Sequence, residues 1–117
     1  MTNATALFLQ SDCRSKWITI DALSVYIRKS SRFYNGKIYK CLDIANVEVE
    51  AHKRQQGQFR AWYAKAEAEA EAEAKYFGLD AIFIESVMSS VMADFCLRHG
   101  FSVRDDGLAP NYIKKLK

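Results

Sequence analysis

Near Gly57 the chain changes its hydrophobic period, and this switch constrains the fold more than any other feature. Before it, residues 17–30 (WITIDALSVYIRKS) and 38–50 (IYKCLDIANVEVE) are rich in β-branched and aromatic residues. Leu23, Val25 and Ile27 alternate with Ser24, Tyr26 and Arg28, the period of a half-buried strand. After it, Phe59, Trp62, Tyr63, Ala66, Ala70 and Phe77 recur at helical spacing and make one apolar stripe. The intervening AKAEAEAEAEAK alternates with period two, but alanine and glutamate are good helix formers and poor strand formers, so a helix is expected. Lys65–Glu69 and Glu71–Lys75 support it at i,i+4 spacing, and Gly78 marks its stop. Residues 81–84 (AIFI) then form a continuous apolar run, as in a strand buried on both faces. Strand, helix and buried strand in this order require a β-α-β crossover joining two parallel strands of one sheet.

The rest of the sheet is expected to be antiparallel. Asn35-Gly36 lies between the two strand-like runs, and both residue types tolerate the positive φ of a tight hairpin turn. The returning strand is long, which suggests a bulge near Ala45-Asn46. Residues 5–10 form a short apolar run expected to be an edge strand. Val87, Val91 and Phe95 define a second amphipathic helix ending at His99-Gly100, and residues 101–103 and 111–113 suit a closing hairpin with Pro110 near the start of its last strand. The expected architecture is α/β (α+β): one domain over residues 1–117, with a mixed, mostly antiparallel sheet and a central parallel crossover.

Half of the 117 residues are apolar, enough for one core. The net charge of +3 is too small to indicate nucleic acid by itself, though it suits an anionic ligand. Cys13, Cys41 and Cys96 are an odd number and far apart, which argues against a disulfide framework or structural zinc. No membrane-spanning stretch and no basic leader are evident, so a cytoplasmic protein with reduced cysteines is expected.

The chemistry suggested by the residues alone centres on the junction. A strand ending in Val47-Glu48-Val49 runs through His52, Lys53, Arg54, Gln55, Gln56 and Gly57 into the helix. Helix N-terminal amides and the positive end of the helix dipole attract phosphate, and Gly57 permits close backbone approach. The glycine spacing fits neither a Walker loop nor a dinucleotide fingerprint.

V-x-V followed by R-x-x-G, carried by Val47–Val49 and Arg54–Gly57, resembles motif A of the Gcn5-related N-acetyltransferases (GNAT). The family pattern R/Q-x-x-G-x-G/A falls here on Arg54, Gln55, Gln56, Gly57, Gln58 and Phe59. Residues 82–87 through Phe95 and Arg98-His99-Gly100-Phe101 resemble its motif B, so the likeness covers roughly residues 20–113. It implies the acyl-CoA N-acyltransferase fold lacking most of the N-terminal helical region, and acetyl transfer from acetyl-coenzyme A to a primary amine (a protein lysine, a modified nucleobase or a small amine) by direct attack. It also implies that the strand carrying Val47, Glu48 and Val49 splays from the one at residues 81–85, that pantetheine pairs with its backbone, and that amides from Arg54 to Phe59 hold the pyrophosphate.

Several positions depart from the family pattern. Phe59 replaces a small residue. Ser89 stands where many members bind pantetheine through asparagine, and Cys96 where many carry a tyrosine general acid. Asp43 lies near the position of a glutamate base, and Glu48 and Glu85 are the other acids that could face the cleft. His52 and His99 suit loop caps better than catalysis. The two helices that usually build the acceptor pocket are represented only by residues 11–16, so an open acceptor side, or one completed by a second subunit, is expected. Small members encoded by tailed bacteriophages look similar. The competing reading is a catalytically degenerate module that binds coenzyme A, or a host or partner protein, without turnover.

Overall fold

The computed structural model describes residues 4–20, 23–49, 57–85, 87, 90–104 and 110–116. Along the chain these are α1 (Ala4–Gln10), β1 (Ser15–Ile20), β2 (Leu23–Tyr34), β3 (Lys37–Val49), α2 (Gln58–Phe77), β4 (Ala81–Ile84), α3 (Ser90–Arg98), β5 (Ser102–Arg104) and β6 (Asn111–Lys115). The strands form one sheet in the order β1-β2-β3-β4-β6-β5. Only β3 and β4 run parallel, with α2 as their crossover; every other neighbouring pair is antiparallel. The mixed α+β sheet expected from the sequence is therefore observed.

Two local expectations are corrected. Residues 5–10 are helical, not an edge strand. Thr5, Phe8 and Leu9 are buried while Leu7 is half exposed, so the apolar spacing is i, i+3, i+4, and a short run of this kind is ambiguous until its packing is known. The stretch 17–30 is also not one strand. Ile20 pairs antiparallel with Leu23, so the stretch is divided between β1 and β2, and the alternation belongs to β2.

The second helix is also shorter than expected: α3 begins at Ser90, and Val87 lies outside it, buried in the core. Other signals hold. Asn35 (φ 49°) and Gly36 (φ 79°) make the left-handed two-residue turn between β2 and β3. The β2–β3 register shifts between Tyr26 and Ile27, leaving Ala45 as the extra residue on β3, a bulge where the length of that strand suggested one. Gly78 closes α2, its N–H donating to the Ala74 carbonyl at 3.0 Å. Asp80 then clamps the start of β4. Its N–H donates to the Lys40 carbonyl at 2.7 Å, its carboxylate accepts from the Lys40 N–H at 2.9 Å, and its carbonyl accepts from the Leu116 N–H at 2.8 Å.

The two faces of the sheet differ. Leu23, Val25, Ile27, Leu42, Ile44, Ile82 and Ile84 point to one face and pack in a single cluster with Phe8 and Leu9 of α1, Trp62, Tyr63, Ala66 and Ala70 of α2, and Cys96 of α3. All three described helices thus cover the same side. On the opposite face a smaller cluster of Tyr39, Cys41, Ala81, Phe83 and Ile113 is covered by long cationic side chains, with the Arg32 guanidinium 4.4 Å above the Phe83 ring and Lys37 and Lys115 near Tyr39. The lysine stems shield apolar surface while their exposed ammonium groups stay wet, whereas the Arg32 charge is held over Phe83 by carboxylates.

A candidate cofactor cleft where two parallel strands part

β3 and β4 pair from Cys41↔Ala81 to Ile44↔Ile84, and the last link is the Glu85 N–H donating to the Ile44 carbonyl at 3.2 Å. Beyond this point β3 continues through Val49 and remains paired on its other edge with β2, as far as Leu23↔Val49. Among the described residues, its edge toward β4 has no strand partner over residues 45–49. The parting begins at the bulged residue, because a bulge bends its strand and increases the local twist. Val47 packs partly against the main core and Glu48 is exposed. An extended ligand lying in the opening would meet backbone donors and acceptors of Val47, Glu48 and Val49, the geometry by which strand edges take up extended partners.

The N-terminus of α2 lies downstream of the same strand. Gly57 is its N-cap, with φ 79° and ψ 10°, and no side chain among the described residues caps the helix. The first intrahelical bond of this turn runs from the Ala61 N–H to the Gly57 carbonyl at 3.0 Å. The amides of Gln58, Phe59 and Arg60 precede it, and such first-turn donors have no acceptor within their helix. A Cβ built on Gly57 would meet no described atom within 4 Å. The left-handed backbone, rather than crowding, is what glycine supplies there. The Phe59 ring turns inward, with its centroid 5.8 Å from Trp62, 6.0 Å from Tyr63 and 5.1 Å from Phe95; it therefore packs on the core. Arg54, Gln55, Gln56 and Ser89 lie outside the described residues.

The structure assigns contrasting surroundings to the two residues considered for proton transfer. Cys96 is fully buried in the main core, and burial pushes its thiol up to about 12, so it remains protonated at neutral pH. Asp43 is also fully buried, on the opposite face of the sheet, and is not the exposed strand carboxylate its position allowed. Its Oδ2 accepts from Arg28 at 3.3 Å and from Arg32. The same two guanidinium groups hold Glu85, Arg28 at 2.6 Å and Arg32 at 2.7 Å. Burial works against the Arg32 charge, but hydrogen bonds and charge from Asp43 and Glu85 hold its pKa above the ordinary value. Glu85 stands at the fork itself with its side chain about one-fifth exposed. Asp43 and Glu48 share a face but not an environment. His99 packs in the aromatic cluster, stacked on Phe95 with centroids 4.2 Å apart.

No family model matches the chain, and no curated protein sequence matches it. Solved structures do match its fold. A mutant of the AtaT toxin, bound to the C-terminus of the antitoxin AtaR and acetyl-CoA, superposes with a TM-score of 0.66 at 13% identity over 80% of this chain and 58% of that one. PaiA N-acetyltransferase from Thermoplasma acidophilum, in complex with coenzyme A, superposes at 0.60 with 16% identity over 93% of this chain and 65% of that one. A GNAT-family acetyltransferase from Listeria monocytogenes superposes at 0.56 with 16% identity, over 81% and 58% of the two chains. The chain has the GNAT acyltransferase fold and spans less than two thirds of the length of these neighbours.

Proposed function

We propose that the chain binds acetyl-coenzyme A in the opening between β3 and β4 and transfers its acetyl group to a primary amine. The observation that carries this reading is the edge of β3 over residues 45–49, which has no strand partner among the described residues, followed by the start of α2 at Gly57, which no described side chain caps. Pantetheine would pair with Val47 to Val49, and the pyrophosphate would take the amides around Gly57, Gln58 and Phe59, with Arg54, Gln55, Gln56 and Ser89 completing the cradle. Neighbours of this fold hold acetyl-CoA or coenzyme A, which supports the same ligand here. In the transfer the amine lone pair attacks the thioester carbon, the C–S bond breaks, and the thiolate leaves with the electron pair.

The proton bookkeeping favours Glu85 over Asp43 as acceptor of the amine proton, through water, because Glu85 is partly exposed at the fork whereas Asp43 is sealed beneath two arginines. Asp43 is better suited to positioning: it anchors the arginines that orient Glu85. Cys96 as general acid has only its place in the sequence in its favour. Its burial instead supports the second reading, a module that binds coenzyme A or a protein partner without turnover. The AtaT neighbour is bound to the C-terminus of the antitoxin AtaR, so a protein partner, or a second copy of this chain, suits either reading.

Thermal unfolding with acetyl-coenzyme A tests the cofactor. A ligand at a hundredfold its dissociation constant stabilises by about 2.7 kcal/mol, so a clear upward shift is expected at millimolar cofactor. No shift would sink both the enzyme and the coenzyme A-module readings. Gly57→Glu places a negative side chain before the phosphates and is expected to abolish the shift; an unaltered shift would move the site elsewhere. Release of free coenzyme A thiol across a panel of amines then separates turnover from binding.

A further inference from the structure

The modest net charge is unevenly placed. Residues 22–42 contain five basic residues, of which Arg28, Arg32 and Lys37 lie on the sheet face that carries Asp43, and only Lys29 and Lys40 lie on the helix-bearing face. The basic segment is structurally distinct. β1 pairs with β2 only as far as Arg28, and β4 pairs with β3 only from Cys41, so residues 31–38 form a two-stranded arm extending past both neighbours. On its helix-bearing side, alternation aligns Lys29, Ser31 and Phe33 of β2 with Ile38 and Lys40 of β3. Phe33 and Ile38 are direct cross-strand partners and are 60% and 65% exposed. At the base of the arm a cavity of about 450 Å³ is lined by Arg14, Lys29 and Lys40 together with Ser11, Ser30 and Ser31.

We infer that this face of the arm binds a single-stranded segment of nucleic acid, at the end of the sheet opposite the coenzyme A cleft. The charge fits a phosphodiester backbone at the cavity, where the exposed Arg14 and Lys40, with the Lys29 ammonium that also donates to the Ser11 carbonyl beside the Phe8 ring, outnumber the one acidic lining residue, Asp12. Phe33, four residues further along β2, gives a ring on which an unstacked base can lie. From Lys29 to Phe33 is roughly 13 Å of strand, so the footprint is a few nucleotides. Cationic groove beside an exposed aromatic platform is the combination by which single strands are held without sequence readout. A duplex keeps its bases stacked inside and would leave Phe33 unused. The surface is independent of the acetyl-transfer reading and stands or falls without it.

Fluorescence anisotropy of a labelled 12-nucleotide single strand against the full chain tests this inference. Binding is expected to weaken with salt, with a log–log slope of about −2 if three phosphates are neutralised at about 0.7 each. Arg14→Gln combined with Lys40→Gln should reduce affinity at least tenfold and flatten that slope. Phe33→Ala should reduce affinity roughly tenfold and leave the slope unchanged. All three residues are exposed, and an unchanged melting temperature for each variant verifies its fold. No binding at low salt, equal affinity for a duplex of the same sequence, equal competition by polyglutamate, or indifference to the variants would each overturn the assignment.

Discussion

Asp43→Ala is expected to lower the unfolding free energy by roughly 3–5 kcal/mol, the cost of removing one partner from a buried ion pair. Asp43 is fully buried, and its Oδ2 faces both Arg28 and Arg32. Without it Glu85 alone answers two guanidinium groups, one of which lies against Phe83. The loss comes mainly from the uncompensated charge. Asp43→Ala combined with Arg32→Met should therefore be more stable than the single variant, since an apolar side chain can take over the cover of Phe83. Urea denaturation gives both numbers. A single variant within about 1 kcal/mol of the parent would mean that solvent reaches the cluster and screens it.

Tyr63→Ala is expected to cost a similar 3–5 kcal/mol, for a different reason. Tyr63 is 1% exposed and sits where α2, α3 and the start of β5 meet, with Phe95 and Phe101 centroids at 5.2 and 5.8 Å. Truncation opens a cavity that three elements would have to collapse to fill. Its hydroxyl donates to Glu67 at 2.9 Å, and Glu67 also accepts from Lys114 on β6. Burial, and then the bond to Glu67, push the phenol above its ordinary range, so at neutral pH it is the donor to the Glu67 carboxylate. Tyr63→Phe keeps the packing and loses only that bond, about 1 kcal/mol. The difference between the two variants in guanidinium unfolding separates packing from polarity. If Tyr63→Phe were as damaging as Tyr63→Ala, the polar link from α2 to β6 would be the dominant contribution.

Some of this was legible before any coordinates. The β-α-β crossover, the Asn35-Gly36 turn and the bulge follow from periodicity, turn chemistry and strand length. The arginine pair was also latent: a two-residue turn sets Tyr34 opposite Lys37, and counting back pairwise along both strands reaches Arg28 opposite Asp43. The missing step was to treat the turn as fixing register, which would have marked Asp43 as paired. Glu85 could not be joined to that pair by counting, because its approach depends on where a separate strand docks. The helical state of residues 5–10 was hidden for a related reason. Six or seven residues do not resolve a period, and only contact with α2 selects one. The basic cavity at the base of the arm was hidden because Arg14, Lys29 and Lys40 come together only in the folded sheet.

Ala45 contributes no chemistry, yet the opening depends on it. It is the supernumerary residue that changes which side chains of β3 face the helices, from Leu42 and Ile44 before it to Val47 after it. Position 45 should thus tolerate exchange of its side chain far better than loss of its residue. Deleting Ala45 would invert the orientation of 46–49 or straighten β3 alongside β4, and in a deletion scan read out by acetyl-coenzyme A binding it should stand out where substitutions at the same position pass. Among relatives too diverged to align by identity, the trait to look for there is chain length, an insertion kept in frame with the pleat.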